Sequence, residues 1–531
     1  MTKKILLAIS GFLIFSFSSK SQLVINGATF TIESGAVVTV QGDVTSNMDI
    51  QGAGKVLLKG TANQNVNMNG KTIPNLEVDN TSNATLTGSI KIGTNLSFVS
   101  GKILTGNNSV TLSSTATSTG QATGKFIETD GTGEVSKEIS SNLSSFEIPL
   151  GKGTAYKPAF VTTNGTYSTA KIGVRLIDNT TSTRPPKIND YVNAVWPVTR
   201  SGITGTVTIT GQYNDADITG TEANLKGYFN NGTDWTSIGG TNDAATNRVS
   251  ASVSGNSGSL TGMNKFVLVG ARAFLQGAYN ASNGLMNENL RTATGGNVIP
   301  NSDPYRSAPY NSSFTHVSNV TTETVIGTPF ATQTQAENNI VDWVFLELRN
   351  TNASPGNTIL QTRSALLQRD GDIVDVDGVS PVTFNNITDG NYAITVRHRN
   401  HLGISLNPTS NAKLMNEAQS TAFTTRVADL RTTAASGLFG TSAGYTSGSN
   451  TTLGTVNLMW AGNANANNAC RYSGAGNDRA VILTDLSSNT LGSLTGYQRS
   501  DLNMNARANY SGAGNDRAYL LSNVLGSSTL T

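Results

Sequence analysis

The chain has 531 residues, enough for three or four domains at ~150 residues each, and it sets 36 basic against 34 acidic side chains for a formal net charge of +2. That balance excludes a strongly basic surface for nucleic acid or for an anionic membrane. The single cysteine, Cys470, excludes internal disulfides, and only 13% of residues are charged, with Gly, Ser, Thr and Asn in their place, a composition that favours extended structure over helix.

The first residues address the compartment. Lys3 and Lys4 precede an apolar run from Ile5 to Phe17, and Ser19 and Ser21 supply small residues at −3 and −1 of a cut before Gln22. This is the layout of a secretory signal peptide over 1–21. The run is shorter than the ~20 residues that span a bilayer, and no second long apolar stretch follows, so the mature chain is expected to lack a transmembrane segment and to be secreted or attached to the outer surface.

Residues 22–137 read as short strands, among them Val37–Val40, Val56–Leu58, Leu76–Val78 and Ile90–Ile92, parted by glycine-bearing turns such as Ser34-Gly35 and Ser100-Gly101. Strands at that pace suit a parallel β-solenoid, in which each coil buries its inward residues on the next, or a meander sandwich. From 138 to 273 the strands lengthen. Ala159–Thr162, Ala170–Leu176, Ala194–Val198, Val207–Thr210, Leu225–Phe229, Val249–Val253 and Phe266–Val269 predict an immunoglobulin-like sandwich. Trp196 and Trp235 are read as core or edge aromatics, with sugar stacking as the other reading.

Residues 274–339, rich in Asn, Ser, Thr and Pro, read as a linker or irregular segment. A second sandwich is expected over 340–454, opened by Val341–Leu348 and punctuated by Asp-Gly turns at 370, 377 and 389.

The one strong internal repeat lies in 455–531. Tyr-Ser-Gly-Ala-Gly-Asn-Asp-Arg-Ala occurs at Tyr472–Ala480 and again at Tyr510–Ala518. Each copy follows polar residues at alternate positions, Asn463, Asn465 and Asn467 in the first and Asp501, Asn503 and Asn505 in the second. Each precedes an apolar run of helical character. A calcium loop takes oxygen ligands at positions 1, 3 and 5, a backbone carbonyl at 7 and a late carboxylate at the exiting helix. The carbonyls of Ala469 and Arg507 and the carboxylates of Asp478 and Asp516 stand in those places. Position 6, where the turn asks for glycine, holds Asn468 and Ala506, and carboxylates are few, so Ca2+ binding is expected to be weak. A purely structural Asn-rich loop is the alternative. Asn477 and Asn515 read as turn formers.

These loops, each closed by Gly-Asn-Asp-Arg and an apolar helix, resemble a dockerin-like calcium module and, more closely, the C-terminal segment of secreted Bacteroidota surface proteins of the haemagglutinin-like or adhesin-like type. Asp342–Leu348, Arg363–Gly378 and Arg397–Gly403 are similar to the sandwich that precedes that module, and Phe274–Tyr279 to its opening. The resemblance covers about 270–531. It implies a cell-surface or extracellular role with calcium-stabilised loops. Dockerins proper dock onto a cohesin.

Other clusters read as structural. His398 and His401 in Arg-His-Arg-Asn-His are taken as a polar strand end, and Asp370, Asp372, Asp375 and Asp377 as hairpin turns and an exposed strand face. No serine elbow, phosphate loop or dinucleotide fingerprint is present, and Cys470 has no evident His partner. Taken together, the chain is expected to be mainly β and not an enzyme. Its expected partner is a cell-surface protein or a glycan, either as an adhesin or as an accessory component of extracellular polysaccharide binding.

Overall fold

The computed structural model describes residues 21–178, 184–318, 321–351, 358–439 and 444–526, and shows a mainly β protein. The signal-peptide segment lies outside the described residues but for Ser21. The chain divides into two compact units, one of 1–180, 193–217 and 243–261, the other of 181–192, 218–242 and 262–531.

The first unit opens as a parallel β-solenoid. Leu23–Ile25, Val44–Ser46, Gln64–Asn67, Ala84–Leu86, Ile103–Leu104 and Ile127–Glu128 stack in register as one ladder, and Val37–Val40, Lys55–Leu58, Thr72–Asp79 and Ile90–Ser100 as another. Val56 lies beside Leu76 and Leu76 beside Leu96, all buried, so each coil closes its neighbour's core. Burying each such side chain contributes about 1.5–3 kcal/mol. One polar residue enters this interior. The Gln64 amide donates to the carbonyls of Val40 (3.0 Å) and Gly42 (2.6 Å) and accepts from Gly60 N and Asn80 Nδ2, which satisfies it in full. Gly101 turns with φ +76°, where a Cβ would strike the Asn80 carbonyl.

The stack does not stop at residue 138. Val135–Ile139 pairs parallel to Val110–Leu112 on one side and antiparallel to Ala170–Val174 on the other. The ladder therefore continues into the long antiparallel pair Ala159–Val174 and Ala194–Gln212, and on to Arg248–Ser252. In place of a separate immunoglobulin-like sandwich over 138–273, residues 138–178 and 193–217 continue the coil sheet, because an edge strand with free N–H and C=O groups is extended by the next strand that meets it. Lys137, 2% exposed, donates to the carbonyls of Ser113, Ser114 and Ala116 where the coils end. Trp196 is wholly buried and Trp235 nearly so, which makes both core residues.

The second unit is built on an eight-stranded sheet ordered Ile404–Ser405, Gly390–Arg397, Ile340–Arg349, Ile359–Gln368, Asp372–Val374, Ala271–Arg272 and Ala428–Asp429, with Lys413–Met415 pairing Gly390–Arg397. All of Ile340–Leu348 is buried, so the sheet is covered on both faces. The sandwich expected over 340–454 is thus one sheet whose cover is largely irregular chain. The segment expected as a linker, 274–339, supplies much of that cover and part of the core: Phe274, Leu275, Met286, Leu290, Tyr305 and Phe314 are buried. Its low apolar density hid this role, since a few aromatic rings bury as much surface as a dense aliphatic run. Tyr305 donates its hydroxyl to Trp343 O (2.8 Å), and Trp343 Nε1 donates to Pro300 O (2.8 Å). No helix among the described residues is long and apolar enough to cross a membrane.

Candidate functional site

The duplicated segment forms two loop–helix units. Asp478–Asp485 is an α-helix, and Asp516–Ala518 begins a helix that widens to π geometry over Tyr519–Val524. Their N-caps are Asn477 and Asn515, whose side chains accept from Ala480 N (2.8 Å) and Ala518 N (2.7 Å). The two asparagines read as turn formers thus cap the helices. Both carboxylates turn back into the loops instead.

In the first loop Asp478 accepts from Asn465 N (3.3 Å) and Arg471 N (2.8 Å). Asn465 and Asn467 each close an Asx turn onto the N–H two residues on, and both donate their amide nitrogens to Gly476 O, at 2.7 and 3.1 Å. Asn463 is 3% exposed and its Oδ1 has no hydrogen-bond partner. In the second loop Asp516 accepts from Leu502 N (2.8 Å), Asn503 N (3.4 Å) and Asn509 N (2.9 Å). Asp501 accepts from Asn505 N (3.0 Å) and Ala506 N (2.9 Å). Asn505 closes an Asx turn onto Arg507 N, and Asn503 Oδ1 is buried without a partner.

The backbone takes the course that a calcium loop requires. Position 4, Ala466 or Met504, has φ of +55° or +52°, and position 6, Asn468 or Ala506, has +64° or +66°. The absence of glycine at position 6 thus does not change the turn. Asn adopts this conformation cheaply, whereas Ala does so at about 1 kcal/mol.

Burial pushes the Asp478 carboxyl up to about 6 against the Arg471 and Asn465 N–H groups that favour its charge. Burial likewise raises Asp501 to about 6, opposed by the Arg399 guanidinium. Asp516 is raised furthest, to about 8, by burial and by the Asp501 charge. Two buried carboxylates, one of them raised further by the charge of the other, beside an amide oxygen without a partner, fit a cation. The first loop fits less well, because it has one carboxylate; amide bridges occur in both loops, two to Gly476 O in the first and one, from Asn503 Nδ2 to Gly514 O (2.8 Å), in the second. Among the described residues no three His, Cys, Asp or Glu side chains gather as a metal-holding group, so asparagine amides carry most of either oxygen set.

The largest departure from expectation is Arg-His-Arg-Asn-His. Far from a polar strand end, His398, Arg399, Asn400 and His401 are at most 1% exposed and tie both loops to the sheet. The Asn400 carbonyl accepts from Gly462 N (2.9 Å) and Asn463 N (3.0 Å), at the entry of the first loop. The Asn400 amide donates to Asp501 O (2.7 Å), at the entry of the second. Asp342, on the central strand, accepts from Arg399 Nε (3.0 Å), His398 Nε2 (2.9 Å) and the Tyr497 hydroxyl (2.7 Å). Arg399 also donates to Gln498 O.

The tautomers follow from the partners. Gly277 N donates to His401 Nε2 (3.1 Å), so the His401 proton sits on Nδ1, which faces His398 Nδ1 (3.0 Å) and Asn400 Oδ1 (2.8 Å). His398 therefore carries its proton on Nε2, toward Asp342. Burial holds both imidazoles below their usual range, and hence neutral at pH 7. Burial also opposes the Asp342 charge, but Arg399 and His398 outweigh it and keep its carboxyl below the ordinary value. The signal in the sequence was five polar residues in a row, four of them cationic or titratable, directly after an apolar strand in a chain with only 13% charge.

The acidic run diverges rather than converging. Asp375 is fully buried against Arg363 (2.7 Å), which corrects its reading as an exposed strand residue; Asp372 pairs with Arg272, and Asp377 caps its own turn at Val379 N and Ser380 N. Burial pushes the Cys470 thiol up to about 12. No family model, curated protein or solved structure matches this chain.

Proposed function

We propose that the chain is a secreted or outer-surface, non-catalytic protein of adhesin-like or haemagglutinin-like type, whose C-terminal loops are stabilised by Ca2+ and whose partner is a cell-surface protein or a glycan. The observation that carries the calcium part is the second loop: Asp501 and Asp516 buried together, with Asn503 Oδ1 unpartnered between their positions. A bound divalent cation there removes the mutual repulsion of the two carboxylates and occupies the open amide oxygen. Asn463, Asn465, Asn467 and Asp478 are the corresponding groups of the first loop.

The non-catalytic part rests on how the perturbed groups are used. His398, His401, Asp342 and Arg399 are fully buried and spent on one another and on the backbone, so they act as scaffold. Export rests on the pattern of residues 1–21. The stacked coils and broad sheet supply rigid surfaces suited to holding a partner.

Melting the whole mature chain with excess Ca2+ and with chelator tests the metal. The expected result is a lower Tm in chelator, and an identical Tm removes calcium from the reading. The whole chain is the right sample, because Asn400 and Arg399 bind the loops into the same buried network as the sheet. Fractionation of producing cells tests location: recovery of the chain in the cytosol overturns export.

A further inference from the structure

The solenoid of the first unit carries a polar groove along the axis of its stack. The ladder runs from Val37–Val40 through Lys55–Leu58, Thr72–Asp79 and Ile90–Ser100 to Thr117–Thr119, and along each strand inward and outward residues alternate. Val56, Leu76 and Leu96 are buried in the core, so the residues beside them face out. Register sets those outward residues in two rows, Lys55, Asn75 and Asn95 in one and Glu77, Ser97 and Thr119 in the other. The turns at Gly35-Ala36 and Ala53-Gly54 line the same depression with nothing larger than a methyl group. Between this low wall and the rows lies a groove of about 490 Å³.

Its floor is electrically balanced and held in place. Lys55 Nζ lies 2.8 Å from Glu77, and the Ser97 hydroxyl donates to the same Glu77 oxygen (3.2 Å). One charge of each sign leaves no surplus for an ionic ligand. The Asn75 amide donates to the carbonyls of Ala53 (3.0 Å) and Gly54 (3.1 Å), which ties the floor to the wall. Asn95 donates to the Thr119 hydroxyl (3.3 Å). The second Glu77 oxygen and the Asn75 amide oxygen have no partner among the described residues, and Lys55 keeps N–H donors to spare. Polar atoms fixed in this way lose little conformational freedom when a ligand binds them.

We propose that this groove binds a neutral, extended polysaccharide of the β-1,4-linked kind, lying along the axis of the coils. The rows repeat at the strand spacing of about 4.8 Å, so the ladder from Val37 to Thr119 spans roughly 19 Å. The pyranose repeat of an extended, equatorially linked glycan is close to that spacing, so successive sugars meet an amide, hydroxyl or paired charge on successive coils. An α-1,4-linked chain curves and loses this register. An extended peptide, at about 3.3 Å per residue, falls out of step with the coils. The methyl-sized wall lets a flat ring reach the floor, and Val37, 49% exposed, offers apolar surface at one end. The groove deepens the reading of the chain as a surface protein with a glycan partner and rests on it.

The test is calorimetric titration of the full mature chain with a β-1,4-linked glucose hexasaccharide, with the matching disaccharide and with an α-1,4-linked glucose hexasaccharide. A Lys55→Ala/Glu77→Ala double variant is titrated alongside. Its melting is expected to match the parent's, because a half-exposed ion pair contributes little to stability. The expected result is binding of the β-linked hexasaccharide, at least about tenfold weaker for the disaccharide and the α-linked chain, and about tenfold weaker in the double variant. No binding of the β-linked hexasaccharide, equal binding of the α-linked chain, affinity independent of length, or affinity unchanged in the folded double variant overturns the site. Attachment of the wild-type chain to whole cells is measured in parallel. Attachment without binding of the β-linked chain removes the groove and leaves the surface reading standing, whereas loss of both removes both.

Discussion

The two copies of the nine-residue repeat share their closing sequence and differ in how their loops are held. In the first, a single carboxylate, Asp478, meets two backbone N–H groups, and the amides of Asn465 and Asn467 cross the loop to Gly476 O. In the second, Asp501 and Asp516 share the interior and meet five backbone N–H groups between them. Amides cross-link both loops, twice in the first and once, from Asn503 to Gly514 O, in the second, so the difference lies in the second carboxylate, which concentrates negative charge there. Duplication preserved the closing segment while the ligand positions diverged. An amide differs from a carboxylate at those positions by one unit of charge and by two N–H donors.

The largest expected effect comes from Asp516→Ala. It strands the buried N–H groups of Leu502, Asn503 and Asn509, and urea denaturation is expected to show a loss of about 3 kcal/mol or more, with the chelator-dependent Tm shift abolished. Asp478→Ala strands two such groups and is expected to cost less and to leave that shift in place. Equal losses of the shift in both variants break the asymmetry. Asn400→Ala, which frees the Asp501 carbonyl from its donor, is expected to cost about 2 kcal/mol by the same measurement and to weaken calcium binding.

The pH dependence sharpens the comparison further. With chelator present, Asp516 is pushed up to about 8 in the folded chain against an ordinary aspartate value of 3.8, so the folded state binds this proton more tightly than the unfolded state. The stability linked to it is complete below pH ~4 and is lost as pH rises through about 8. The metal-free chain is thus expected to melt at lower temperature at pH 8 than at pH 5, and Ca2+ to flatten or reverse that slope by displacing the proton. A Tm that rises from pH 5 to pH 8 in chelator contradicts the placement of the two carboxylates.

The smallest effect expected concerns the left-handed position 6. Ala506→Gly relieves a strained φ of +66° but gives up a buried methyl, for a net gain of about 0.5 kcal/mol. Asn468→Gly is expected to change stability by less, since asparagine tolerates this conformation. Parallel thermal melts of the two variants check the order.

Where the sequence was informative, its signal was local. Short apolar runs separated by turn glycines gave away the coils, because a parallel stack repeats the same inward position every turn, as Val56, Leu76 and Leu96 do. The repeat was legible by identity, and both helices start where its Asp-Arg-Ala falls. The boundary at 138 was not legible, since a change in strand length looks the same whether a new domain begins or an existing sheet turns antiparallel. Nor was the role of 274–339, where widely spaced aromatic residues such as Tyr305 and Phe314 form a lid over a strand that follows them in the chain.

By itself, then, the sequence determined that the chain is mainly β, that its N-terminal region is built from short stacked strands, and that its tail holds two related oxygen-lined loops. Periodicity and repetition are properties of neighbours along the chain, and these features depend on little else. Only the tertiary structure decided that Asn400 holds the entries of both loops, that Asp342 collects His398, Arg399 and Tyr497, and that the buried Glu347 lies between two arginines. Most of those pairings join residues dozens to more than a hundred positions apart, and what selects them is the need of each buried polar group for a partner, a demand met only once the whole core has closed.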